Sequence, residues 1–146
     1  MKSIALGLLL GFAATQAFAA EGHWLTDLAK AQEKAKAEKK MVLVDFTGSD
    51  WCPPCKALHK NVLTSEEFEK FAKDNLVLVE IDFPQNKPQT PEQKKANKEL
   101  AKKHQVTGYP TVIVFDAAGK ELSKKVGYDK SVTASDYVAE LKKLKA

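Results

Sequence analysis

The chain has 146 residues and a formal net charge of +4, from 23 basic and 19 acidic side chains, and every basic residue is lysine. So mild a balance, with no arginine to fork onto guanine edges, excludes the usual chemistry of a nucleic-acid reader and leaves the lysines as a solvated surface. The length allows one domain with a substantial core.

Lys2, the apolar residues 4–12 and the small residues Ala17 and Ala19 form the pattern of a secretory signal with an A-x-A cleavage site. The apolar run falls short of the roughly 20 residues that span a bilayer. Residues 1–19 are therefore expected to be a cleaved signal peptide. Residues 20–146 are expected to be a single exported domain, periplasmic or secreted.

Residues 24–39 predict a helix: Leu28, Ala31 and Ala35 repeat at helical spacing, and neither Gly nor Pro interrupts them. "MVLVDF" (41–46) and "LVLVEIDF" (76–83) are short β-branched runs, the signature of strands buried on both faces. A helix is expected from Pro53 to about Asn61, and another begins at Thr64 or Ser65 with Glu in its first turn. "PQNKPQTPEQ" is a polar, proline-rich loop. A helix over 92–104 follows, with Ala96, Leu100 and Ala101 as its apolar stripe. "TVIVFD" (111–116) and "ELSKKVGY" (121–128) read as an antiparallel hairpin across "AAGK". Ser131 or Thr133 caps a last helix that turns Tyr137, Val138, Leu141 and Leu144 inward. Strands alternating with helices imply parallel pairing through crossovers, with an antiparallel strand added by the hairpin. The fold class is a small α/β sandwich.

The chemistry concentrates in "DFTGSDWCPPCK", residues 45–56, which holds the only two cysteines. Export places them in an oxidising compartment, where a structural disulfide is the simplest explanation. A cross-link closing so short a loop removes little unfolded-chain entropy, however, so the pair is better explained by reactivity. A C-x-x-C that opens a helix after a strand is a redox arrangement. Cys52 would lie at the helix N-terminus, where unpaired amides favour a thiolate that attacks a client disulfide. Cys55, one turn on, would resolve the mixed disulfide. Helix geometry exposes the first thiol and packs the second. Zinc also uses C-x-x-C pairs but wants four ligands, and His23, His59 and His104 are scattered.

Trp51 offers a client chain an apolar edge beside Cys52. Pro110, in "GYPT" before a strand, is a candidate cis proline, and the extended geometry it imposes on Tyr109 would present that residue's backbone. Asp45 interrupts a buried strand, and so costly a group points to a proton acceptor for the resolving thiol. Asp50 is the competing acid. His59 lies one helical turn past Cys55, as a surface residue or a modifier of that thiol. His104 is expected at a helix C-terminus, interacting with the dipole.

"VDFTGSDWCPPCK", "VTGYPT" and "KKVGY", in this order, resemble the thioredoxin superfamily, and most closely its exported bacterial branch of small thiol–disulfide oxidoreductases. The resemblance implies a three-layer sandwich, a central mixed sheet with helices on both faces. It implies Cys52 as nucleophile, Cys55 as resolving cysteine, Asp45 as buried acid and Pro110 as the cis proline beside them. Trp51, Pro53, Pro54, Gly108, Tyr109 and Gly127 would then meet the client. No cofactor is expected beyond the Cys52–Cys55 disulfide, and no metal. The expected partners are client proteins with disulfides or thiols and an upstream thiol reductant of the membrane; the chain is expected to be a monomer. The pattern departs from the family in three places. The first strand has no counterpart before Trp24, an extra residue (Gly48) separates Asp45 from Cys52, and Leu78 stands where a lysine often neighbours the buried acid. Without that lysine, burial should push the Asp45 pKa upward.

Pro53 and Pro54 fit a helix's first turn, where a missing N–H breaks no intrahelical bond. They also reduce the amide donors available to a Cys52 thiolate, which favours a reductase. A chaperone-like client-binding module without redox turnover is the alternative.

Overall fold

The computed structural model describes residues 24–145; the expected signal peptide, its cleavage site and His23 lie outside the described residues. The elements run α1 (Leu28–Glu38), β1 (Met41–Thr47), α2 (Pro53–Leu58), a π-helical turn (His59–Leu63), α3 (Glu66–Asn75), β2 (Leu76–Asp82), α4 (Pro91–Lys103), β3 (Thr111–Phe115), β4 (Glu121–Val126) and α5 (Ala134–Leu144). No helix among the described residues is long and apolar enough to cross a membrane.

The strands form one sheet in the order β2-β1-β3-β4. β1 pairs in parallel with β2, Met41 opposite Leu76 and Thr47 opposite Asp82, while β3 pairs antiparallel with both β1 and β4. The sequence reading of parallel crossovers therefore holds for β1 and β2 and fails for β3. Thr111, the first residue of β3, lies opposite Phe46, near the last of β1. The chain thus re-enters the sheet at the end where β1 and β2 leave it, and this brings Pro110 to the cysteine end.

Side chains alternate along each strand and feed two apolar layers. Val42, Val44 and Phe46 join Val77, Val79, Ile81, Ile113 and Phe115 under α1 and α4. Met41, Leu43, Leu76, Leu78, Val112 and Val114 face the other way, under the π turn, α3 and α5. The three-layer sandwich implied by the resemblance is the observed architecture.

Local chemistry sets most element ends. Asp27, Ser65, Thr90 and Thr133 each accept a backbone N–H as helix N-caps, and Thr133 and Asp136 complete a capping box. Two expectations need correction. The first helix begins at Leu28, not Trp24, because Asp27 caps it and Leu25 is occupied elsewhere. Leu25 donates to Leu78 O and accepts from Glu80 N, forming a single parallel bridge to Val79 on the outer edge of β2. This one-residue bridge stands where the family's first strand would lie. On α4, Ala96 is exposed and Asn97 is buried. Asn97 turns inward because its amide donates to Asp82 O at 2.9 Å and accepts from Gln93 at 2.8 Å, so a satisfied polar group replaces the expected alanine.

Candidate active site

β1 delivers the chain to the site. After Thr47 the backbone turns at Gly48, whose carbonyl accepts from Trp51 N (3.2 Å) and Cys52 N (2.9 Å). A Cβ at Gly48 would lie 2.6 Å from Trp51 Nε1, so glycine is required for the indole to pack against this turn. Cys52 is the N-cap of α2 in extended geometry, with Pro53 and Pro54 in the first turn. Cys52 and Cys55 are joined in a disulfide, with Cα atoms 5.2 Å apart.

In this form both cysteines are buried, Cys52 at 3% exposure and Cys55 at 2%, so exposure does not separate them as expected. Their positions do. Cys52 lies at the helix end beside exposed Pro53 and half-buried Trp51, whereas Cys55 lies one turn inside, on the same buried side of α2 as Leu58. Pro54 is half-buried.

The rim of the site is aromatic. Trp51 donates its indole N–H to Phe83 O at 2.7 Å and meets Tyr109 edge-on with centroids 6.0 Å apart; Phe83 closes the triangle 5.2 Å from Tyr109. The Tyr109–Pro110 bond is cis and Pro110 is buried. Pro110 O accepts from Gly127 N at 2.7 Å, and Gly127 adopts a positive φ of 81°, which its lack of a Cβ permits. Gly108 lies across from Val126, 56% exposed and the one large hydrophobic left so open among the described residues. These contacts link Trp51, next to Cys52 in the chain, to Tyr109 and Pro110, and Pro110 and Gly108 to Gly127 and Val126. Phe83, the last residue of the run 76–83, and Val126, inside the run 121–128, are residues that sequence reading did not single out.

The acids have separate places. Asp50 accepts the backbone N–H groups of Gln85 (3.0 Å) and Asn86 (2.7 Å), which lower its pKa and commit it to holding the loop of residues 83–90. Ser49 reinforces this latch by donating to Asp82, and Lys87 donates to Ser49. Asp45 is 3% exposed, and its Oδ1 has no hydrogen-bond partner. By strand alternation it shares a face with Leu43 and points into the layer beneath α2. Burial first, then the charges of Glu80 and Asp82, push its pKa up to about 7. The rise expected from the missing lysine is present, and its second cause was not foreseen: the residue opposite Asp45 is Glu80. Parallel register places one acid beside the other, a relation that no single strand's sequence displays.

His59 is exposed at the start of the π turn. His104 caps the C-terminus of α4, as expected, but it packs edge-on against Phe115 at 5.4 Å, and burial pushes its pKa down. Lys124 supplies the helix end with positive charge instead, donating to His104 O and Gln105 O.

Comparison with known proteins agrees with this geometry. The family model of the thioredoxin-like domain matches residues 28–145. A disulfide bond reductase, DsbH, of Chlamydia pneumoniae is 38% identical over 128 residues, which cover 88% of this chain and 76% of that protein. A thiol:disulfide interchange protein, DsbD, of Actinobacillus pleuropneumoniae is 35% identical over 98 residues, which cover 66% of this chain and 15% of that much longer protein. The solved structure of a DsbH oxidoreductase has a TM-score of 0.77 at 34% identity, covering 99% of this chain and 94% of that one. The chain belongs to the thioredoxin-like family and, within it, is a thiol–disulfide oxidoreductase.

Proposed function

We propose that the chain is an exported disulfide reductase that acts on client proteins through Cys52 and Cys55 and needs no cofactor beyond that pair. Cys52 thiolate attacks a client disulfide, forming a mixed disulfide and releasing one client thiolate. Asp45 takes the proton of Cys55, whose thiolate attacks Cys52 Sγ and expels the second client sulfur. Two electrons pass from the dithiol to the client, and the Cys52–Cys55 disulfide is regained. An upstream thiol reductant of the membrane reduces it again; the thiol:disulfide interchange relative supports a donor of that class.

The single observation that carries the reductive direction is the poverty of donors around Cys52. Pro53 and Pro54 have no N–H, and the N–H of Cys52 is already committed to Gly48 O. Few donors leave the thiolate weakly stabilised and the disulfide weakly oxidising. The exposed Val126 and the Trp51–Tyr109 pair suit an extended client segment, and the Chlamydia relative, a disulfide bond reductase, supports the same direction. Export rests on residues 1–19.

Insulin reduction with dithiothreitol as donor tests this reading. Wild type should accelerate precipitation of the insulin B chain, and Cys52→Ser should be inactive. Equal rates for the two would leave a client-binding module without redox turnover.

A further inference from the structure

We propose that Asp45 and Glu80 act as one carboxyl pair in the resolving step, Glu80 being a positioning residue that shares Asp45's proton and passes it toward solvent. This rests on the reading that Asp45 accepts the proton of Cys55.

The geometry comes from the β1–β2 ladder. Asp45 and Glu80 are direct partners in a parallel register, so their side chains leave the sheet on the same face from strands about 4.8 Å apart. Burial grades outward along this line: Asp45 is 3% exposed, Glu80 is half-buried, and His59, one helical turn past Cys55, is exposed. Asp45 Oδ1 is buried without a partner, and among the described residues no hydrogen bond or ion pair engages the Glu80 carboxylate. Asp82, next on the same face of β2, is occupied by Ser49. Two uncommitted carboxyls side by side in a partly dry site ionise in two coupled steps rather than independently.

The remaining charged and titratable neighbours are consistent with an outlet at Glu80. Burial first, then Asp82, push the Glu80 pKa up, and the opposing charges of His59 and Lys87 reduce the rise. On the inner side lies Tyr137 of α5, whose hydroxyl is held protonated by burial, by Asp45 and by Tyr128; Tyr128 donates to Val132 O. Cys55 lies on the same buried side of α2 as Leu58, which belongs to this layer. The proton leaves Cys55 for Asp45, moves to Glu80 and goes to water, while the electron pair left on Cys55 sulfur forms the bond to Cys52 and the client thiolate departs.

Reduced protein mixed with limiting dithiobis-nitrobenzoate separates the steps. Attack by Cys52 releases the first coloured thiolate, and attack by Cys55 on the mixed disulfide releases the second. Followed from mildly acidic to mildly alkaline pH, the second release in wild type should accelerate with a midpoint near 7. Glu80→Gln removes a like charge at constant shape and should lower that midpoint by about one pH unit. Glu80→Asp should restore it. Asp45→Asn should abolish it. If Asp45→Asn removes the midpoint but Glu80→Gln leaves it unmoved, the pair is overturned and the role of Asp45 stands. A midpoint displaced equally in Glu80→Gln and Glu80→Asp would assign the effect to packing and overturn the pair. If Asp45→Asn keeps the wild-type profile, the acceptor reading fails, and the pair fails with it.

Discussion

The two faces of the sheet use the same strands for opposite ends. Under α1 and α4 the face is apolar along its whole length, from Val42 and Val77 to Phe46 and Ile81. Under α2, α3 and α5 it begins the same way with Met41, Leu43, Leu76 and Leu78, then turns acidic with Asp45, Glu80 and Asp82 toward the cysteine end. The change falls where β1 and β2 leave the sheet, at the end that leads into the cysteine motif. One face secures the fold. The other gives up part of its stability to hold a carboxyl that is ready to take a proton.

The largest effect should follow from breaking the apolar face. Phe46 is fully buried, and Phe46→Ala should cost about 3–5 kcal/mol, because the lost transfer energy adds to that of the cavity left between α1 and α4. Urea unfolding of the oxidised protein reads this directly as a lower midpoint. A loss below about 1 kcal/mol would mean that this face is not the fold's anchor.

The acidic face should respond in the other direction. The Asp45 pKa is about 7 in the folded protein against an ordinary 3.8, so between those values the folded state holds a proton that the unfolded chain has released. Stability therefore falls as pH rises through this window, and the full penalty is present above pH 7. Asp45→Asn should flatten the curve and be the more stable protein at alkaline pH, by up to about 4 kcal/mol. Unfolding of both proteins along a pH series checks the sign; a wild type that gains stability across the window would contradict it.

A smaller effect belongs to the turn that joins the sheet to the disulfide. Gly48→Ala should force the Trp51 indole away from Phe83 O, costing roughly 1–3 kcal/mol by overpacking and weakening client reduction through a higher KM. Trp51 fluorescence should change along with it. An unchanged spectrum and KM would show that the indole's seat is dispensable.

These contrasts also mark what a linear reading can supply. The runs "MVLVDF" and "TVIVFD" declare strands because β-branched residues suit both faces of a covered sheet, and caps are local enough that the reading narrowed two helix starts to Thr64 or Ser65 and Ser131 or Thr133, of which Ser65 and Thr133 are the caps. The cysteine motif, Pro110 and Asp45 were legible for a similar reason: each is an unusual residue in its own segment. Glu80 was not, since its meaning comes from register with another strand. The reversal of β3 and the Leu25 bridge depend on where distant segments meet, and helical or strand periodicity carries no such information. Asn97 was hidden because an amide satisfied by Asp82 O reads as polar surface until its partner is in place.

The reductive direction is the central claim, and the equilibrium reduction potential of the Cys52–Cys55 pair against glutathione tests it most directly. With Pro53 and Pro54 lacking an N–H and the Cys52 N–H committed to Gly48 O, the Cys52 thiolate has little to stabilise it. A potential nearer to about −270 mV, the value of a reducing thioredoxin, is expected. A potential close to about −120 mV, that of a strong oxidant, would contradict it.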